Sequence, residues 1–215
     1  MATETTAIPR RRSSGRPRGT DSTARREDIL AAATEIFSAE GYRGASMSSV
    51  ARACGISQTG LVHYFPTKDD LLQAVLDRRD ELDIAAVDVK DGGERRGWAV
   101  LESMTELMRH NQGQPGIVRL FTTMAGEAVE PNHPANAWLR RHHGVTAEKM
   151  REALAEAAED GRLAEDAPVD SIVRCLTAAM DGLQIQWLSN PGYSDMASDF
   201  QVALDALRSR WEIRS

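Results

Sequence analysis

The chain has 215 residues, of which 41% are hydrophobic and 27% are charged, and its net charge is −6. This composition is typical of a globular protein, and no stretch reaches the roughly 20 apolar residues that a membrane span needs. Arginines near the N-terminus are not followed by an apolar run, which argues against a secretory signal, so we expect a cytoplasmic protein without a membrane partner.

Basic residues are concentrated at the N-terminal end of the chain. Residues 1–68 contain ten Lys or Arg and six Asp or Glu, whereas the remainder contains 16 and 26. A basic end on an acidic body is typical of a protein that binds nucleic acid through one end only. Residues 1–20 contribute much of this asymmetry. They contain almost no apolar residues, and we predict them to be a disordered arm.

The arm contains a run of arginines followed by Gly-Arg-Pro-Arg, which includes Arg16 and Arg18. This run resembles the core of an AT-hook, which lies extended in a narrow A·T minor groove, where the negative potential attracts guanidinium groups. The alternative is a solvated tail that adds only non-specific affinity for phosphates. Both interpretations stay open.

From about Ser22 onwards the apolar residues recur at helical spacing, and no strand pattern is found, so the sequence predicts an all-α fold. Ser, Thr, Gly and Pro residues mark the ends of the elements. The predicted helices are about 23–40, 47–54, 58–64, one from Thr67 to beyond Leu82, 95–110, 116–130, 134–160, 168–189 and 194–212.

The second and third predicted helices, with the turn at residues 54–57 between them, form a helix-turn-helix. In such a unit the second helix enters the major groove of DNA. That helix is short and carries small and polar residues where a core helix would carry leucines, so we expect it to face DNA. The predicted DNA contacts are Ser46, Ser57, Gln58, Thr59, Gly60, His63, Tyr64 and Lys68, with Arg16 and Arg18 from the arm.

The segment from Arg26 to about Val75 resembles the TetR family of transcriptional regulators. The matching motifs are Gly41-Tyr42, Ser46 with Val50-Ala51, Gly55-Ile56-Ser57, Leu61, Tyr64-Phe65, Lys68 and Leu71. Thr59-Gly60 and Leu61-Val62 depart from the usual pattern. Many members have a tyrosine that touches a phosphate at the position of Val62, which cannot form a hydrogen bond there.

The resemblance implies a three-helix DNA-binding domain at residues 21–68 and a C-terminal helical domain at 69–215 that binds a ligand and dimerises. It implies a repressor that binds near-palindromic double-stranded operator DNA as a homodimer and is released by a small-molecule effector. No cofactor is expected. The nature of the effector stays open, since residues 85–215 carry no recognisable ligand motif.

Two sets of apolar residues are candidates for the dimer interface and the ligand site. The last two helices predict an interface, although the same faces could instead close the protomer core. The interface residues are Leu176, Met180, Leu183, Trp187, Leu204, Leu207 and Trp211. Methionine and aromatic residues adapt to varied ligands, although core packing is the more common role of any one such residue. The ligand-binding residues are Met104, Met108, Phe121, Met124, Trp138 and Gln184.

Three other functions are considered. The sequence has no nucleophile triad frame, no phosphate loop and no paired carboxylates in an apolar setting, so an enzyme is not expected. A metal site at His133, His142 and His143 is disfavoured because their spacing matches no familiar ligand set. The remaining alternative is an architectural protein that coats A·T-rich DNA through its arginine arm.

Overall fold

The computed structural model describes residues 18–88, 95–190 and 192–213. Within these residues the chain forms nine α-helices, and the predicted all-α fold is confirmed. The helices are α1 (Arg18–Gly44), α2 (Met47–Ala53), α3 (Gln58–Tyr64), α4 (Lys68–Asp88), α5 (Trp98–Gln112), α6 (Pro115–Ala128), α7 (Asn136–Glu159), α8 (Val169–Ser189) and α9 (Met196–Trp211). None of them combines the length and apolar character needed to cross a bilayer.

Helix α1 is longer than predicted at both ends. It begins at Arg18, inside the predicted arm, and runs to Gly44 with a break at Gly41, where φ is +69° and ψ is 177°. Glycine adopts this backbone conformation readily because it has no Cβ. The rest of the arm, including Arg16, lies outside the described residues, so its predicted disorder and its predicted DNA contacts are not tested.

Helices α1 to α4 share one hydrophobic cluster with α6 and the start of α7, which we call the N-terminal core. Apolar residues at helical spacing on α1 face apolar residues of α4 and α6, so burial of these stripes is the main force that assembles the cluster. Its fully buried side chains include Ile29, Leu30, Phe37, Leu61, Leu71, Leu72, Leu76, Leu120, Met124 and Trp138. The division into domains at residue 68 remains a prediction.

A second cluster, the C-terminal core, joins α5, α7, α8 and α9. Leu176 on α8 and Leu204 on α9 lie inside it and are both 0% exposed. The prediction that these two residues form a dimer interface is therefore wrong, because their side chains are already used to close the protomer. Leu183, Trp187, Leu207 and Trp211 are half-buried at the edge of the same cluster, and their interface role remains a prediction.

Candidate functional site

Hydroxyl caps fix the geometry of the helix-turn-helix. Ser46 Oγ accepts the backbone N–H of Ser49 at 3.1 Å, and Ser49 Oγ accepts the N–H of Ser46 at 3.2 Å, which is a reciprocal capping box on α2. Ser57 Oγ accepts the N–H of Gly60 at 3.0 Å and caps α3. Gly55 turns the chain between the two helices with φ +64°. These caps hold the first turn of α3 in place.

One face of α3 is exposed and the other is anchored. Gln58, Thr59 and His63 are exposed, as the sequence predicts for residues that contact DNA, and Val62 is exposed beside them. On the opposite face Leu61 is completely buried in the N-terminal core. The short helix is therefore presented outward with its polar residues free to reach a groove, and their contacts with DNA remain a prediction.

Gly60 and Tyr64 are less exposed than their neighbours on α3. Gly60 is half-buried, and a Cβ there would lie 3.3 Å from Ser57 Oγ. Tyr64 is half-buried and packs against the N-terminal core. The structure thus gives both residues a structural role, in support of the cap and of the core, beside the predicted DNA contact.

Lys68 has a role that the sequence does not predict. Its ammonium group donates to the backbone oxygens of Tyr42 at 2.8 Å and Ala45 at 2.9 Å, and it lies 4.2 Å from the centre of the Tyr42 ring. It thereby ties the start of α4 to the end of α1. One N–H remains for the predicted phosphate contact. Burial and a hydrogen bond to Asp69 raise the pKa of Tyr42 to about 12, so its hydroxyl stays neutral.

Glu127 joins α6 to the break in α1. Its Oε2 accepts the backbone N–H of Tyr42 at 3.0 Å and lies 3.2 Å from Nε2 of His133. Nδ1 of His133 accepts the N–H of Ala135 at 3.1 Å, which leaves the proton on Nε2 to be donated to Glu127. A Cβ at Gly41 would collide with the Glu127 carboxylate. The Glu127 carboxylate therefore adds a polar link between α6 and the end of α1 to the apolar contacts of the N-terminal core.

A cavity of about 230 Å³ lies between α4, α5, α6, α7 and α8. Three residues of the predicted ligand set, Met104, Phe121 and Gln184, line it. Met108, Met124 and Trp138 do not line this cavity and are buried in the two cores, so the structure gives them a packing role, and their contact with a ligand stays a prediction.

Met180 faces the same cavity. It was predicted to lie in the dimer interface, yet it is buried and lines the cavity wall. That interface prediction is wrong, because the outer surface of α8 is formed by other residues.

A charged cluster forms one wall of the cavity, and sequence reasoning missed it. The guanidinium of Arg79 lies 3.0 Å from Asp80 and 2.8 Å from Asp83, and it stacks 4.5 Å from the centre of the Phe121 ring. His142 contacts Asp80 at 3.0 Å. The helical spacing on α4 puts Arg79 and Asp83 in line with its buried stripe, but it does not reveal the partners that allow their charges to be buried.

The pKa values of the two carboxylates in this cluster are shifted in opposite directions. Burial pushes the pKa of Asp80 upward, but the hydrogen bond and charge of His142, the charge of Arg79 and the Trp138 indole N–H outweigh it, so the pKa is lowered. Burial dominates at Asp83 and raises its pKa despite the charge of Arg79. The wall therefore keeps one firmly ionised carboxylate beside one that holds its proton more readily.

The three histidines considered as metal ligands have separate partners. His133 faces Glu127, His142 faces Asp80, and His143 lies 3.1 Å from Asp181. In the part of the chain that the structure describes, no group of three or more metal-ligating side chains is brought together.

The outer surface of α8 and α9 carries small and apolar side chains. Ala178 and Ile185 on α8 and Val202 on α9 are exposed, and Gly182 lies one helical turn beyond Ala178. Small residues at this spacing permit a second helix to pack closely. This surface, which we call the outer face, differs from the interface residues predicted from the sequence.

Comparisons with known proteins agree with these features. The family described as "Bacterial regulatory proteins, tetR family" matches residues 29–75. The repressor AcnR of Corynebacterium diphtheriae is 27% identical over 176 residues, covering 82% of this chain and 87% of AcnR. The regulator UidR of Escherichia coli is 29% identical over 147 residues, covering 68% of this chain and 73% of UidR. Both are described as helix-turn-helix transcriptional regulators.

Solved structures share the fold at low sequence identity. A TetR transcriptional regulator from Chloroflexus aurantiacus superposes with a TM-score of 0.77 at 18% identity, covering 91% of this chain and all of that one. A complex of SmeT with triclosan superposes with a TM-score of 0.76 at 19% identity, covering 89% and 93%. SmeT is the repressor of a multidrug efflux pump of Stenotrophomonas maltophilia. At this identity the likeness concerns the fold.

Proposed function

We propose that this chain, whose residues 29–75 match the TetR family of bacterial regulatory proteins, is a cytoplasmic repressor that leaves its operator when a small molecule occupies the cavity. Members of this family are DNA-binding proteins rather than enzymes, in agreement with the sequence analysis. The single observation that carries the proposal is the exposed polar face of α3, which is held outward by its Ser57 cap and by the buried Leu61.

The chemistry of α3 suits operator DNA. The amide of Gln58 can pair with the edge of an adenine, the methyl group of Thr59 can contact a thymine methyl, and His63 can donate to a base or a phosphate. The capped N-terminus of α3 adds a favourable field for a phosphate. Val62 offers only an apolar contact, so this chain reads its site with fewer phosphate contacts than relatives that carry a tyrosine there.

A homodimer is the form in which such a helix reads a near-palindrome. Two recognition helices must be about 34–36 Å apart to enter successive major grooves. The outer face of α8 and α9 supports dimerisation, because Ala178, Ile185 and Val202 are apolar and exposed. Packing this face against its copy gives a four-helix bundle across a two-fold axis.

Helix α4 and Phe121 connect the cavity to the DNA-binding helices. Leu71 and Leu72 on α4 lie in the N-terminal core, and Asp83 on the same helix lies in the cavity wall. Phe121 belongs to both the core and the wall. A ligand that moves this wall therefore changes the distance between the two α3 helices of the dimer. A coupling free energy of about 1–3 kcal/mol between ligand binding and DNA binding reduces operator affinity 5- to 150-fold.

The test is quantitative DNA binding. The purified protein should protect one short palindrome in a footprint, whereas an architectural protein would cover A·T-rich DNA broadly. Gln58→Ala should weaken binding to that palindrome by about 1–3 kcal/mol and relax the choice of base at one position in each half-site. Gln114→Ala, which removes an amide at the start of α6, is the matched control and should bind like the wild type. Unchanged affinity and base preference in Gln58→Ala would refute the assigned role of α3.

A further inference from the structure

Two buried amides in the cavity wall have unused acceptor atoms. Asn111 on α5 is 3% exposed and Gln184 on α8 is 4% exposed, and both line the cavity. Among the described residues, no hydrogen-bond donor reaches Asn111 Oδ1 or Gln184 Oε1. Buried polar atoms in folded proteins are normally paired, so these two oxygens point to a ligand that supplies a donor.

The Asn111 amide lies near Asp83, and its interaction with that carboxyl group lowers the pKa of Asp83 against the larger effect of burial. The amide oxygen of Asn111 has no partner among the described residues. An amide oxygen can only accept a hydrogen bond, so a ligand that pairs with it must supply a donor.

The buried charges of the wall disfavour an anion. Three acidic residues (Asp80, Asp83 and Asp181) and three basic residues (Arg79, Arg141 and Lys149) line the cavity, but Arg141 and Lys149 are exposed. Arg79 is the buried cation. Its two terminal nitrogens contact Asp80 at 3.0 Å and Asp83 at 2.8 Å, and its Nε has no partner among the described residues. An anionic ligand would have to compete with both carboxylates for Arg79 in a region of low dielectric.

The size and the remaining surface of the cavity define the rest of the ligand. Met104, Leu107, Phe121 and Met180 provide apolar surface beside the amides. A volume of about 230 Å³ lies below the usual range of roughly 300–1,000 Å³ for small-molecule sites. The site thus suits a compact molecule with one polar edge.

We propose that the effector is a compact, mainly apolar molecule without negative charge, which donates an O–H or N–H to the oxygens of Asn111 and Gln184. This inference rests on the proposed function, since it names the class of effector for the same cavity. Donation to these two oxygens is the property that separates an effector from other apolar molecules of similar size.

A matched series of aromatic probes tests the proposal by isothermal titration calorimetry. The series consists of 2-naphthol with a donor, 2-methoxynaphthalene without one, and 2-naphthoate with a negative charge. We expect 2-naphthol to bind roughly tenfold more tightly than 2-methoxynaphthalene, and 2-naphthoate to bind more weakly than both. Equal affinity for the first two probes, tighter binding of 2-naphthoate, or no binding of any of the three would overturn the proposal.

Variants assign the preference to the two amides. Gln184→Met keeps the length of the side chain and removes the acceptor, and Asn111→Leu removes the other. Each should reduce the preference for 2-naphthol to less than about threefold. Gln114→Leu, which removes an amide outside the cavity lining, should keep it. Gln184→Met should also melt at or above the wild-type temperature, because an unpaired buried oxygen is lost; a lower melting temperature would contradict the unpaired state.

Operator binding measured on the same samples tests the regulator function separately from the effector class. If the protein binds its palindrome but shows no donor preference, the effector class is wrong and the regulator function stands. If the protein binds no palindrome, the proposed function fails whatever the probes do.

Discussion

Replacing Gly41 with alanine should destabilise the protein at the contact between the end of α1 and α6. Gly41 has φ +69° and ψ 177°, a region of backbone conformation that is almost restricted to glycine. The added Cβ would also collide with the carboxylate of Glu127, which accepts the N–H of Tyr42 at 3.0 Å. The substitution therefore imposes backbone strain and displaces a hydrogen-bonded carboxylate.

The two effects can be sized separately. Backbone strain of this kind costs about 1–3 kcal/mol. Loss of the hydrogen bond to Glu127 adds about 1–2 kcal/mol, somewhat less than the roughly 1.5–3 kcal/mol of a buried charged acceptor, because the side chain of Glu127 is 32% exposed. The total of about 2–5 kcal/mol is a large part of the 5–15 kcal/mol that stabilises a typical domain.

A double-mutant cycle measured by urea unfolding at fixed protein concentration tests this reasoning. In a Glu127→Ala background, Gly41→Ala should cost only the backbone part, so the coupling energy should be about 1–2 kcal/mol. Gly126→Ala is the control, because this helical glycine has open space around its Cβ position and should gain up to about 1 kcal/mol. Equal effects of Gly41→Ala in both backgrounds, or an effect as small as that of Gly126→Ala, would refute the argument.

Three further predictions concern the dimer, a helix cap and the arm. Ile185→Glu on the outer face should give monomers in analytical ultracentrifugation, whereas Val129→Glu, at another exposed apolar position, should leave the dimer intact. Asp195 caps α9, and hydrogen bonds from Ser198 lower its pKa. Asp195→Ala should therefore cost about 0.5–2 kcal/mol at neutral pH, and this difference from wild type should shrink as the pH falls below about 4 and Asp195 gains its proton, as measured by pH-dependent urea unfolding. Deleting residues 1–17 should reduce the slope of log K against log salt by about 0.9 for each arginine that contacts a phosphate, and an unchanged slope would exclude the arm from binding.

The sequence predicts the helix-turn-helix well because its signals are local. Ser46 and Ser57 cap helices through contacts within three residues, and Gly41 and Gly55 interrupt helices at the positions expected from their lack of a Cβ. Leu61 faces inward as its spacing requires. Such features need no knowledge of the distant chain, so the element that reads DNA could be placed from the sequence.

The cavity and the outer face could be predicted only in part, because they depend on which helix packs against which. Met104 and Met108 are one turn apart on α5 and look equivalent in the sequence, yet only Met104 lines the cavity. Leu176 and Leu204 are predicted as interface residues because an apolar stripe does not show whether it packs against the same chain or against a second copy.

The charged wall shows a different limit of sequence reasoning. Arg79 and Asp83 sit on a buried stripe, where a single sequence suggests a solvated helix face. Their burial becomes plausible only when Asp80, His142 and the ring of Phe121 are known to surround them. Paired charges in the interior therefore depend on tertiary neighbours that local spacing does not reveal.

The shared N-terminal core limits how this protein can be taken apart. Leu120, Met124 and Ala128 of α6 pack with Ile29 and Phe37 of α1 in one apolar cluster. A chimeric regulator that takes only residues 1–68 from this chain would lose these α6 side chains, and the apolar surface of α1 that they cover would be exposed. A chimera that combines the DNA-binding helices of this chain with another ligand-binding domain must therefore also include the α6 residues that pack against α1.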